Sequence, residues 1–102
     1  MAQRIIVYWR DIPTQVIIRR GRTTAKRELP ERFIQAVDRA AMRSGARDTD
    51  AYLAEWRRGD PTPCGDDLDA EADAAVADLI AAYDAARLAA LVGAGGRETK
   101  DA

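Results

Sequence analysis

The segment Arg4–Arg20 constrains the fold more than any other stretch. Arg4-Ile5-Ile6-Val7-Tyr8-Trp9 and Val16-Ile17-Ile18-Arg19-Arg20 are β-branched and aromatic runs joined through Arg10-Asp11-Ile12-Pro13-Thr14-Gln15. A strand alternates its side chains between two faces, so Ile5, Val7 and Trp9 point one way and Ile6 and Tyr8 the other. Both faces are apolar, and a lone two-stranded hairpin cannot keep such surfaces dry. The pattern predicts a hairpin with helices on one side. A second subunit or a partner protein is then the natural cover for whatever stays open.

With 102 residues the chain supports one core and little surplus for an internal active-site cavity. A single domain is expected over residues 1–92, with 93–102 as a flexible tail following Gly93-Ala94-Gly95-Gly96. The net charge is only −1, but it is segregated: residues 1–58 hold 13 Lys/Arg and 7 Asp/Glu, and residues 59–102 hold 3 and 10. That polarity favours the acidic half lying on the chain's own basic surface over a dedicated nucleic-acid binder, which would carry an overall positive excess.

Cys64 is the single cysteine, so no internal disulfide forms and a reducing compartment, the cytoplasm, is expected. Met1-Ala2-Gln3-Arg4 runs directly into the first strand, which predicts no cleaved leader, and no apolar run has membrane-spanning length.

After the hairpin, Gly21–Glu28 is polar and basic and fits a strand extension, a third edge strand or a loop. Pro30 and Glu31 suit a helix start, and Leu29, Phe33, Val37, Ala40 and Ala41 recur at helical spacing, predicting a helix over 30–44 that Ser44-Gly45 ends. Asp48 or Thr49 then caps a short helix whose Tyr52, Leu53 and Trp56 form one stripe. From Asp67 to Val92 an alanine-rich pattern predicts one long helix of roughly 39 Å, with Ala72, Val76, Leu79, Ile80, Tyr83, Ala86 and Ala90 on one face. A helix that long outruns so small a body, so its distal half is expected on a neighbour.

The chain contains no histidine, which removes His-based metal sites, Ser-His-Asp triads and the usual proton shuttle. Cys64 lies beside Asp66 and Asp67, whose charge opposes a thiolate nucleophile. The run Asp67-x-Asp69-x-Glu71-x-Asp73 imitates a calcium loop, but Ala72 stands where the sharp turn needs glycine, so a charged helix start is the better reading. No catalytic residue, metal or cofactor is assigned.

Binding candidates remain. Tyr8, Trp9, Arg10, Asp11 and Gln15 gather aromatic and charged groups at the hairpin, although Arg10-Asp11 also fits a purely structural turn. Arg19, Arg20, Arg22, Lys26 and Arg27 form the densest cationic patch, suited to an acidic protein surface or a small anion and, less well, to nucleic acid. Trp56, Arg57 and Arg58 are candidates for an interface anchor.

Ile6-Val7-Tyr8-Trp9-Arg10-Asp11-Ile12-Pro13-x-Gln15-Val16, Ala25-Lys26-Arg27-Glu28-Leu29, Phe33, Asp38-Arg39-Ala40-Ala41-Met42 and Asp50-Ala51-Tyr52-Leu53-Ala54-Glu55-Trp56-Arg57-Arg58 together resemble a small bacterial family labelled "virulence factor", over roughly residues 4–60. The resemblance implies an accessory role, with assistance to folate- and corrinoid-dependent one-carbon metabolism as its narrower form, and brings no catalytic residues with it.

These readings converge on an α+β domain: an antiparallel hairpin packed on two short helices and one longer C-terminal helix. The expected function is a non-catalytic accessory or interaction protein, working with a protein partner or as a homo-oligomer and away from membranes. A nucleic-acid binder and a site-completing subunit of an enzyme complex are the alternatives.

Overall fold

The computed structural model describes residues 2–45 and 48–98. Strands β1 (Ala2–Trp9) and β2 (Ile12–Arg20) form the hairpin, and β3 (Thr23–Glu28) pairs antiparallel with β2 as an edge strand, which settles the role of the Gly21–Glu28 stretch. Helices α1 (Glu31–Ser44) and α2 (Thr49–Ala54) follow, then two short strands, β4 (Trp56–Arg58) and β5 (Thr62–Cys64), and helices α3 (Leu68–Ala82) and α4 (Ala85–Gly93). The sheet order is β3-β2-β1-β4, with β5 also on β1. The architecture is α+β, an antiparallel sheet with helices, as the hairpin and helical periodicities predict.

At the turn, Arg10 takes φ 52°, the left-handed region. The register passes from Val7↔Gln15 to Tyr8↔Pro13, leaving Thr14 as a bulge whose hydroxyl donates to the Val7 carbonyl at 3.1 Å. The Leu29 N–H, just before α1, donates to the carbonyl of the bulged Thr14 at 3.0 Å.

Helix α1 buries Phe33, Ala36, Val37, Ala40 and Ala41, and Gly45 at φ 78° ends it in a left-handed cap. Three expectations need correction. Asp48 stands at the N-cap of α2 but makes no side-chain capping bond. Trp56 is not on the α2 stripe: it opens β4 opposite Trp9, and Leu53 is left 58% exposed. The long helix is two helices, because Tyr83 leaves helical geometry (φ −112°, ψ 72°) and the Asp84 side chain caps a new helix by accepting from the Arg87 N–H at 2.8 Å. The break lets α4 return against α1, where Leu88 and Leu91 are buried while Ala86 and Ala90 are exposed.

Two apolar clusters result. Trp9, Ile12, Leu29, Phe33, Val37, Leu88 and Leu91 pack at the turn end of the hairpin, and Ala2, Val16, Ile18 and Ala25 pack under Ala72 and Ala75 of α3. Helix α3 covers the face carrying Ile6, Val16 and Ile18, mainly over β2 and β3. Ile5 and Ile17, paired on the opposite face, belong to neither cluster. Both are nonetheless buried, at 2% and 5% exposed.

The domain boundary expected at residue 92 lies within α4. Beyond it, Gly95 and Gly96 are buried against the hairpin turn, where the Asp11 N–H donates to the Gly96 carbonyl at 2.8 Å. The rest of the expected tail, residues 99–102, lies outside the described residues.

Candidate functional site

The sequence candidates separate into three places. At the turn, the aromatic and charged residues are occupied by the chain's own structure. Trp9 is fully buried and its Nε1 donates to the Tyr52 carbonyl at 2.9 Å. Arg10 stacks on the Trp9 ring at 4.9 Å, donates from Nε to the Glu55 carboxylate at 2.8 Å and from Nη1 to the Gly95 carbonyl at 2.7 Å. Asp11 accepts from Arg57 at 3.1 Å and from the Glu98 N–H at 2.6 Å, and Arg57 covers the Tyr8 ring at 4.5 Å. Nearly every hydrogen-bonding group of Arg10-Asp11 is spent holding the turn to α2, β4 and the segment after α4, as a structural turn requires.

On the helix-covered face, Arg27 pairs with Asp69 at 2.9 Å and Asp73 at 3.1 Å, and these bonds hold its guanidinium pKa above its ordinary value. Arg20 donates to the Asp66 carbonyl at 3.1 Å. The acidic start of α3 therefore lies on the basic hairpin, as the charge segregation suggests, and Asp67 caps the helix through the Ala70 N–H at 3.1 Å. Among the described residues no group of three or more His, Cys, Asp and Glu side chains is placed to hold a metal ion. Cys64 faces this side, and burial first, then the charge of Glu71, pushes its thiol pKa up, so it stays protonated at neutral pH.

The third place is the face opposite α3. Strand register puts Gln3, Ile5 and Val7 of β1, Gln15, Ile17 and Arg19 of β2, Lys26 and Glu28 of β3, and Trp56 and Arg58 of β4 there together. Arg19, Lys26 and Arg58 are exposed and form no ion pair among the described residues. A groove of about 500 Å³ opens where this face meets α1, with Val7, Leu29, Trp56 and Ile34 as its apolar part and Gln15, Glu28 and Glu31 on its rim. Ile34 is 39% exposed, and the half-buried Trp56 packs edge-on against Tyr52 at 5.9 Å.

Of the predicted binding residues, this face gathers Gln15, Arg19, Lys26 and Arg58. Trp56 lines its groove, whereas Arg22 stays exposed at the β2–β3 turn. Sequence reasoning missed Val7 and Ile34 as groove residues. The signal for Ile34 was present: it is an apolar residue that lies off the stripe of Phe33, Val37, Ala40 and Ala41.

Among the described residues no helix is long and apolar enough to cross a membrane. No curated protein and no solved structure matches the chain. One family does, described as Virulence factor, and its match runs over residues 7–92, from the hairpin through both C-terminal helices. The chain belongs to that Virulence factor family.

Proposed function

We propose that the protein is a non-catalytic accessory protein that docks the sheet face opposite α3 on an acidic surface of a partner protein. The observation that carries this reading is the face itself: Ile5 and Ile17 belong to neither of the two helix-packed clusters, a groove with Trp56 opens beside them, and Arg19, Lys26 and Arg58 stand exposed around them, unpaired among the described residues. Arg19, Lys26 and Arg58 on the strands of this face steer an acidic partner, and the neighbouring groove, bordered by Glu28 and Glu31, supplies an aromatic anchor in Trp56 once the partner arrives. The same charges oppose stacking two such faces in a symmetric dimer, because like charges would then meet across the contact. The absence of histidine and the protonated state of Cys64 at neutral pH support an accessory rather than a chemical role.

The test is affinity capture from the native host with the wild-type chain, a Lys26→Glu/Arg58→Glu double variant and Trp56→Ala. A captured protein that is released by raised salt and lost from both variants supports the reading. Retention by both variants refutes it, and so does salt-sensitive capture of RNA or DNA alone. The narrower reading carried by the family resemblance, assistance to folate- and corrinoid-dependent methyl transfer, is decided by the identity of the captured protein.

A further inference from the structure

Four arginines are half-buried among the described residues: Arg4, Arg10, Arg27 and Arg87. Three are neutralised, Arg10 by Glu55, Arg27 by Asp69 and Asp73, and Arg87 by Glu98. Arg4 has no carboxylate at ion-pair distance among the described residues, and its Nε is buried without a hydrogen-bond partner. A guanidinium drawn partly out of water with no carboxylate beside it is a standing cost; its Nε is closed to solvent, so an arriving acceptor would relieve that cost at the outer N–H groups.

Its surroundings are not closed. Helix α3 lies over β2 and β3, so toward β1 and β5 the same face opens into a cleft of about 350 Å³. Ile6, Leu79 and Tyr8 make its apolar part, Arg4 lines it, and Asp60 and Asp78 also border it. Gly59 lets the β4–β5 connection approach so closely that a Cβ there would sit 3.1 Å from the Tyr8 ring. The volume is at the small end of ligand pockets, and the pattern of an apolar body with a few charged groups is that of a ligand site.

We propose that this cleft binds a small organic zwitterion: a carboxylate on Arg4, an apolar body against Ile6, Tyr8 and Leu79, and an ammonium group at Asp60 and Asp78. A simple anion would satisfy Arg4 but face two carboxylates, and a simple cation would leave Arg4 unpaired. Only a molecule carrying both charges meets both ends. The site lies on the opposite side of the sheet from the proposed docking face, so either reading stands if the other fails.

The experiment is a chemical-shift titration of the labelled protein with 4-(aminomethyl)benzoate, benzoate and benzylamine. The zwitterion is expected to bind at least tenfold more tightly than either single-charge analogue, moving the amide signals of Tyr8, Thr62 and Asp78. Arg4→Gln is expected to weaken it about tenfold and bring it level with benzylamine, and Asp78→Asn to bring it level with benzoate. Asp78 is exposed, so its variant keeps the test readable even if Arg4→Gln fails to fold. No shift at millimolar zwitterion overturns the proposal. So does benzoate binding as tightly as the zwitterion, or affinity unchanged in Asp78→Asn.

Discussion

Arg10 and Glu55, 45 residues apart, are joined twice: the Arg10 backbone N–H donates to the Glu55 carbonyl at 3.1 Å, and its Nε donates to the Glu55 carboxylate at 2.8 Å. The side chains are 15% and 23% exposed, so this pair is screened less than the ion pairs at the rim. Around it, Arg57 donates to the Arg10 carbonyl at 2.9 Å and Arg97 donates to Glu55 at 2.8 Å. One residue of the hairpin turn thus ties the first strand to β4 and to the segment beyond α4.

Arg10→Ala should lower stability by about 2–3 kcal/mol, the worth of charge-assisted hydrogen bonds whose acceptors are left behind. Arg10→Gly should cost about 1 kcal/mol less, because glycine adopts the φ of 52° without strain. Urea unfolding of the two variants measures both. Equal losses would show that the left-handed backbone contributes nothing.

The two glycines Gly96 and Gly21 share a positive φ but not their surroundings. A Cβ on Gly96 would lie 2.9 Å from Cζ3 of the buried Trp9, whereas one on Gly21 meets nothing within 4 Å. Gly96→Ala is expected to cost more than about 2 kcal/mol, combining overpacking with backbone strain, and Gly21→Ala about 1 kcal/mol from strain alone. Thermal midpoints in the same buffer give the comparison.

Asp84→Ala and Asp67→Ala each remove a side-chain cap from a helix N-terminus and should each cost about 1 kcal/mol. Circular dichroism during urea unfolding checks this. A neutral Asp84→Ala would mean that the break between α3 and α4 is set by packing alone.

The local signals were legible and the distant ones were not. The β-branched and aromatic runs of Arg4–Arg20 on either side of a Pro-containing turn give the hairpin, and the spacing of Phe33, Val37, Ala40 and Ala41 gives α1 almost to the residue. Strands β4 and β5 have three residues each, too few for any period to register, and they exist because β1 offers them a pairing edge. Trp56 reads as a helix-stripe residue for that reason. The break at Tyr83-Asp84 hides inside continuous alanine-rich periodicity, where an aspartate reads equally as surface or cap. Of the candidate site, residue types were visible but faces were not. Arg19 and Lys26 separate from Arg20 and Arg27 only once the register of β2 and β3 is fixed.

Cys64 should react slowly with a thiol reagent at pH 7–8, and faster once the protein is unfolded, because burial and then the charge of Glu71 raise its pKa in the native state. A thiol pKa raised by folding contributes stability below the ordinary thiol range and loses it as the pH climbs through the raised value. Alkylation rates measured with and without denaturant test this, and a native thiol as reactive as free cysteine at pH 7 would contradict it.

The most direct test of the docking face is photocrosslinking in the native host, with a photoreactive residue at Gln15, on the sheet face opposite α3, or at Ala74, on the exposed side of α3. The account predicts a cross-linked protein partner from position 15 and none from position 74. A partner captured from position 74 and not from position 15 would contradict it.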